Sequence, residues 1–308
     1  MPRLMVSGAT GFIGWHLCQA VGDCYKIIRH LPSESHASNI VVQELDETVD
    51  WTRLIPSDVE CIVHLAGIAH NASRDEDYIR RINVKGTLHL AKQAALSGVK
   101  RFVFVSSIGV NGKQTAKAPF SPFDMASPSN SYTRSKYEAE LGLQSLAESM
   151  GFELVVVRPT LVYGPDAPGN FGLLSKVVKT LPVLPFGLAN NKRDFIAVKN
   201  LADFLITCAY HPDAVGHTFL ASDGEAVSIK NFTNAVADGL GKKIIQLPVP
   251  IVFMKFMAKL LGKSEIAEQL LGDLQVDSSN IQKVLGWTPP FTMKQAMASL
   301  QDKSVKKQ

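Results

Sequence analysis

Leu4-Met-Val-Ser-Gly8-Ala-Thr10-Gly11-Phe12-Ile13-Gly14 carries an apolar strand directly into a glycine-spaced loop and then into a helical pattern. Glycines at this spacing have separate tasks. Gly8 permits the tight turn, Gly11 lets backbone approach a pyrophosphate, and Gly14 allows close packing of helix on strand. The amides at the helix start, in the stretch Thr10, Phe12 and Ile13, then face phosphate oxygens at the positive end of the helix dipole. A glycine triplet alone is weak; between a strand and a helix, beginning at residue 8, it predicts dinucleotide binding.

Outward from this loop, short apolar runs alternate with longer amphipathic stretches, the pattern of a parallel sheet with crossover helices. Strands are expected at Leu4–Ser7, Tyr25–Arg29, Ile40–Gln43, Cys61–Leu65, Arg101–Ser106 and Leu154–Arg158, with helices at Ile13–Val21, Tyr78–Leu96 and Ser131–Met150. The strands are almost continuously apolar, as strands buried on both faces are. The fold class is therefore α/β, a Rossmann-type doubly wound parallel sheet. After Arg158-Pro159 the pattern changes: Pro159, Pro165, Pro168, Pro182 and Pro185 break the chain into loops and short elements. A helix at Leu201–Tyr210 and a strand at His217–Leu220 follow, and the chain from Ile229 is mostly helical. Residues 1–168 and 193–215 are assigned to the dinucleotide-binding domain, and 169–192 and 216–308 to a smaller, mostly helical substrate lobe.

Composition narrows the function classes. With 308 residues, 46% hydrophobic and 19% charged, the chain is that of a globular protein with a large core. The net charge of +4 is scattered except in the tail Lys303-Ser-Val-Lys-Lys-Gln308, which reads as a solvated end, and no nucleic-acid partner is expected. Cys18, Cys24, Cys61 and Cys208 lack metal-ligand or Cys-x-x-Cys spacing, so no metal is expected and a reducing cytoplasmic location fits. The most apolar late segment, Ile251 to Leu261, contains Lys255 and Lys259 and is too short to span a bilayer; no membrane partner is expected.

The chemistry is concentrated in Ser131-Tyr132-Thr-Arg-Ser-Lys136-Tyr137. Four residues place Tyr132 and Lys136 on one helix face. An ammonium beside a phenol favours the phenolate, so Lys136 is expected to hold the Tyr132 pKa down. Ser107, at the carboxyl end of its strand, is placed to hydrogen-bond a substrate oxygen, or to satisfy nearby backbone instead. Asp46, just past the third strand, reads as an adenine contact or as a solvated loop carboxylate. Arg29, ending the second strand, stands where NAD-specific loops carry a carboxylate; a guanidinium there favours the 2′-phosphate of NADP, or is simply a surface charge.

With these residues in view the chain resembles the extended short-chain dehydrogenase/reductases, specifically the nucleotide-sugar epimerase/dehydratase family. The likeness runs through the glycine loop, His64-Leu65-Ala66-Gly67, Asn83-Val-Lys-Gly-Thr87, Ser106-Ser107, Tyr132-x-x-x-Lys136, Arg158-Pro-x-x-Val-Tyr-Gly-Pro165, Arg193-Asp-Phe-Ile196 and Leu285-Gly-Trp287. The resemblance implies Ser107, Tyr132 and Lys136 as the catalytic set. It implies an NAD(P) cleft lined by Leu65, Ala66, Gly67 and Pro159, with Asn83 bracing the catalytic region. Substrate contacts are implied at Ser107, Asn111, Asn170 and Arg193, the last two on a nucleotide-sugar diphosphate. A helix-start cap for Asn170 and an ion pair with Asp194 for Arg193 are the structural alternatives.

Departures narrow the family's activities. Asn111 replaces a common tyrosine. Ser107-Ile108-Gly109 stands where dehydratases of the family carry a Thr-Asp-Glu set, which disfavours elimination of water. Leu270 stands where UDP-galactose 4-epimerases keep a phosphate-binding arginine. The resemblance thus implies a homodimeric enzyme acting on a UDP-sugar by hydride transfer at C4. It points first to a UDP-4-keto-6-deoxy-N-acetylhexosamine 4-reductase of surface-polysaccharide (O-antigen) precursor synthesis. A UDP-glucose or UDP-N-acetylglucosamine 4-epimerase with tightly bound NAD is the alternative, and a non-catalytic NAD(P)-binding regulator a further one, which would have no need of the three catalytic groups.

Overall fold

The computed structural model describes residues 3–30, 37–69 and 75–301; the basic tail lies outside them. The strands are β1 (Arg3–Ser7), β2 (Tyr25–Ile28), β3 (Asn39–Val41), β4 (Val59–His64), β5 (Arg101–Val105), β6 (Glu153–Pro159), β7 (Leu161–Tyr163), β8 (Val183–Leu184), β9 (Phe195–Ala197), β10 (Thr218–Ala221) and β11 (Ile245–Gln246). Seven form one parallel sheet in the order β10-β6-β5-β4-β1-β2-β3. The order reverses between β1 and β4, and the crevice at their carboxyl ends is where ligands of such sheets bind. β7 pairs with β9, and β8 with β11, as two small outlying sheets.

The continuous apolar strands feed two cores, because successive side chains point to opposite faces. Leu4, Val6, Val63, Val103 and Val155 face one core, which is completed by α1 (Phe12–Val21) and, later in the chain, the helix Val198–Tyr210. Met5, Ile62, Phe102 and Phe104 face the other, beneath α2 (Trp51–Leu54) and the helices that follow. There the single helix expected over Tyr78–Leu96 is built in three parts: α3 (Glu76–Arg80), a π-helical turn at Arg81–Gly86, and α4 (Thr87–Leu96). Such wide turns gather at functional sites, and this one contains Asn83. α5 (Ser131–Met150) packs beside it with the predicted bounds.

The remaining helices are α6 (Gly169–Thr180), α7 (Val198–Tyr210), α8 (Ile229–Gly239), α9 (Ile251–Leu260), α10 (Ser264–Leu271), α11 (Ser279–Leu285) and α12 (Met293–Ala298). A third core joins α6, α8, α10 and α12 around Tyr163, Phe171, Phe195 and Phe232, with the last two rings stacked at 3.8 Å. The domain bounds need one correction. β10 falls inside the stretch assigned to the lobe, yet it is the edge strand of the main sheet, paired with β6. Ile281, Leu285 and Trp287 also pack on the main core, and Trp287 Nε1 donates to Asp203 Oδ2 at 2.7 Å. A lobe that grows from strand ends must return to the sheet, and a four-residue apolar strand marks no boundary.

Gly86 shows how tightly the layers meet. A Cβ there would lie 1.8 Å from the Leu45 carbonyl oxygen and 2.8 Å from its carbon, both backbone atoms. Gly86→Ala therefore forces the β3 exit away from the helix and is expected to cost about 2 kcal/mol in urea unfolding, the middle of the range for overpacking. Unchanged stability in Gly86→Ala would contradict the close approach.

Candidate active site

The glycine loop is a cradle that side chains would fill. Gly8 has φ +72°, and a Cβ on it would sit 2.9 Å from the Ala66 amide; one on Gly14 would sit 2.1 Å from the Gly8 carbonyl oxygen. Gly11 caps α1 without a side-chain hydrogen bond, and the first turn carries no acid. The first-turn amides therefore lack intrahelical acceptors and face outward with the positive dipole end. This fits a dinucleotide pyrophosphate. Thr10 is exposed at the lip of the loop, and Phe12 and Ile13 are half-buried behind it.

The loop after β4 forms the opposite wall, held by a buried chain of polar groups. Ser7 Oγ and His64 Nδ1 are 2.7 Å apart, His64 Nε2 and Thr87 Oγ1 2.9 Å, and Thr87 donates to the Asn83 carbonyl at 2.8 Å. Burial pushes the imidazole down to about 3, so it is neutral. With Thr87 donating onward, its oxygen accepts from Nε2–H, and Nδ1 accepts from Ser7. Ser7 Oγ in turn accepts from the Ala66 amide at 3.3 Å, and the Leu65 amide bonds to the Ser7 carbonyl. Asn83 accepts from the Ile68 amide at 2.8 Å and donates to Ser135 Oγ at 2.9 Å, which donates to the Tyr132 carbonyl. The cofactor wall is thus tied to the first turn of α5. A Cβ on Gly67 would come within 3.2 Å of Asn83 Oδ1 and 3.4 Å of Lys136 Nζ. Pro159, buried, ends β6 on the same sheet edge.

The catalytic candidates meet at the ends of β5 and α5. A capping box of Asn130 and Thr133 sets the start of α5, so Tyr132 lies in its first turn and Lys136 one turn on. The Ser107 hydroxyl is near enough to the Tyr132 phenol to pull its pKa down, and Ser107 Oγ accepts from the Gly109 amide at 3.1 Å. Lys136, 3% exposed, donates to the Val105 carbonyl at 2.9 Å and sits 4.6 Å from the Phe104 ring centroid. One expectation is corrected here: Lys136 does not hold the phenol down. Burial pushes Tyr132 up to about 12, against the pull of the Ser107 hydroxyl. Burial also lowers Lys136 to about 8, while Glu140 favours its charge. The ammonium is spent on a carbonyl, and desolvation of the phenol prevails.

Behind these groups lies a network that the motifs did not announce. Arg158 Nε and Nη2 donate to the two oxygens of Glu140 at 3.0 and 2.5 Å, and Nη1 donates to Asn111 Oδ1 at 2.9 Å. Asn111 is buried, and its amide donates to the Ser121 carbonyl. Its role as a substrate contact is therefore corrected: both ends of its side chain serve the scaffold. The overlooked signal was spacing, since Glu140 lies four residues after Lys136 and eight after Tyr132, on the face that points inward. The Ser106 hydroxyl is buried beside Ser107 with no partner among the described residues.

The remaining candidates stand apart from this centre. Arg193 Nη1 donates to the Gly272 carbonyl at 2.9 Å, and burial lowers the guanidinium to about 10. Asp194 is not its partner: that carboxylate accepts from the Val276 amide at 2.8 Å, and burial raises it to about 6. Asn170 is not a cap either, because Pro168 occupies the cap position of α6; its exposed amide donates to Gln269 Oε1 at 3.0 Å. Arg29 is exposed just past β2. Asp46 is buried, not solvated, and accepts from the Thr48 hydroxyl at 2.6 Å and the Thr48 amide at 3.0 Å, with Arg81 at 3.9 Å. The Thr48 hydroxyl first, then the Thr48 amide and Arg81, hold it below the usual carboxylate range. No group of three metal-ligating side chains occurs among the described residues.

Comparison with known proteins agrees with this geometry. Residues 4–222 match the model of the NAD dependent epimerase/dehydratase family. The chain is 39% identical over 307 residues to a UDP-glucose 4-epimerase of Vibrio cholerae, covering 96% of this chain and 93% of that one. It is 25% identical over 315 residues to a GDP-6-deoxy-D-mannose reductase of Pseudomonas aeruginosa, covering 97% and 95%. A crystal structure of a Thermotoga maritima UDP-glucose 4-epimerase with UDP-glucose superposes at a TM-score of 0.75, with 19% identity and 97% of each chain covered.

Two measurements probe the buried charges. Glu140→Gln strands the Arg158 guanidinium and is expected to cost roughly 3–5 kcal/mol in urea unfolding, most of it recovered in Glu140→Leu/Arg158→Met. Failure of the double variant to recover would show that the pair is not the cause. Lys136 has its folded pKa near 8, below its ordinary 10.5. Between these values the unfolded chain holds the extra proton, so stability rises with pH across that window. Lys136→Met should then be more stable than the parent near neutral pH, by up to roughly 3 kcal/mol, with the gap closing toward pH 10.5. A gap independent of pH would contradict the shift.

Proposed function

The chain belongs to the NAD-dependent epimerase/dehydratase family, and on that premise we propose that it transfers hydride at C4 of a UDP-hexose. The specific reading is reduction of a UDP-4-keto-6-deoxy-N-acetylhexosamine with NADPH, in the synthesis of a surface-polysaccharide precursor. The observation that carries it is the Ser107–Tyr132–Lys136 arrangement at the ends of β5 and α5. A phenol carries its proton at neutral pH and can give it to a ketone oxygen as the hydride arrives.

The nicotinamide, when bound, supplies the hydride. Ser107 hydrogen-bonds the substrate C4 oxygen, and Tyr132 gives that oxygen its proton as the carbonyl becomes an alcohol. Lys136 hydrogen-bonds the nicotinamide ribose in place of, or alongside, the Val105 carbonyl. Arg193 and Asn170 meet the sugar diphosphate, a use that suits a guanidinium whose charge Asp273 favours and which donates to a backbone carbonyl. The exposed Arg29 meets the 2′-phosphate and Asp46 the adenine. The homodimer is expected to form through α4 and α5, which expose Leu96 and Leu141.

A second reading, 4-epimerisation with tightly held NAD, is favoured by the name of the Vibrio cholerae relative. There Tyr132, entering as its phenolate, would first take the C4 hydroxyl proton and later return it. The purified chain separates the two. Oxidation of added NADPH only when a UDP-4-keto sugar is present supports the reductase; retained NAD with interconversion of UDP-hexoses, without added coenzyme, supports the epimerase. In either case Tyr132→Phe is expected to lower kcat about 10²–10⁴-fold while leaving cofactor affinity nearly unchanged. Undiminished turnover in that variant would reject the mechanism.

A further inference from the structure

α9 is apolar on both sides but covered on only one. Ile251, Met254 and Ala258 lean on the lobe core, half-buried. At 100° per residue, Val252, Phe253, Phe256, Met257 and Leu260 occupy the opposite face, and none of the helix's residues is buried. Val252 is 81% exposed, Leu260 65%, and Phe253 and Phe256 more than half. Contiguous apolar surface of this kind marks an interaction site. Lys255 and Lys259 border it along one edge, and Lys263 follows the helix. Between Asp238 and Glu265 the chain carries five lysines and no carboxylate side chain. The nearest acids in sequence beyond the helix, Glu265 and Glu268, belong to α10, and Glu265 lies 3.9 Å from Lys113.

We propose that this face of α9 docks the protein on an anionic lipid bilayer surface. Phenylalanine and leucine on one side of a helix, bordered by lysines, is the composition of helices that lie in the headgroup plane. Cations next to an anionic leaflet each strengthen binding. A second copy fits less well. Face-to-face pairing would bring these lysines toward their own counterparts, with no carboxylate on the helix to answer them, and lysine is depleted at such interfaces. The shortness of Ile251–Leu261 excludes a span and leaves a surface contact open. α10, which packs against α9, is joined at its end to Asn170 and Arg193 through Gln269 and Gly272.

Flotation of the full-length protein with vesicles tests this. Recovery with phosphatidylglycerol-containing vesicles is expected, falling at high salt, with little recovery on phosphatidylcholine alone. Phe253→Asp/Phe256→Asp should abolish recovery while leaving the melting temperature and cofactor affinity unchanged. Lys255→Glu/Lys259→Glu should weaken binding roughly thirtyfold or more. Phe256→Trp gives an independent readout, a blue-shifted emission on phosphatidylglycerol vesicles. No flotation, flotation indifferent to the aspartates, or an unshifted tryptophan would overturn the proposal. So would concentration-dependent self-association in light scattering that the aspartates abolish, which would assign the face to a second copy.

Discussion

A lysine ammonium buried between a strand end and a helix is the constraint around which the cleft is organised. Lys136 has the Val105 carbonyl and the Phe104 ring as its immediate companions, and water is largely excluded. A charge in such a place persists only if the surrounding groups favour it. Glu140, one turn along, does so at longer range, and Arg158 neutralises Glu140 in turn. The alternation of charge from Lys136 through Glu140 to Arg158 lets three ionisable side chains share one interior. Asn111 closes the series and ties it to the loop after Ser107.

The same position explains the glycines opposite. Gly67 leaves beside the ammonium the space a methyl group would occupy, and Gly8 lets the phosphate loop touch the Ala66 amide. Asn83 bridges these walls from a widened helical turn, where an ordinary α-turn would present its side chain in another direction. The glycine cradle and the proposed acid–base centre thus share one hydrogen-bonded frame, and displacement of either wall is felt at the other.

Much of this was legible in the chain. The doubly wound parallel sheet follows from βα alternation, because a right-handed crossover between parallel strands leaves few alternatives. The co-facial placement of Tyr132 and Lys136 was legible because four residues make one helical turn whatever the surroundings. β10 was harder: Thr218–Ala221 is recognisable as a strand, but a strand of four apolar residues does not say which sheet it joins. Asn111, Asn170 and Asp194 were harder still, since a polar residue's partner is set by contacts distant in sequence.

The sequence by itself determined the doubly wound sheet, the phosphate loop and the co-facial Tyr132 and Lys136, because periodicity and glycine stereochemistry act over a few neighbouring residues. Tertiary structure alone decided which groups are charged and what they touch. Burial, not the neighbouring ammonium, governs the phenol; Glu140 and Arg158 are partners only because α5 lies on β6; and α9 keeps an uncovered apolar face only because the lobe's core is already filled on its other side. Desolvation and long-range packing depend on the whole fold, and no local pattern of residues encodes them.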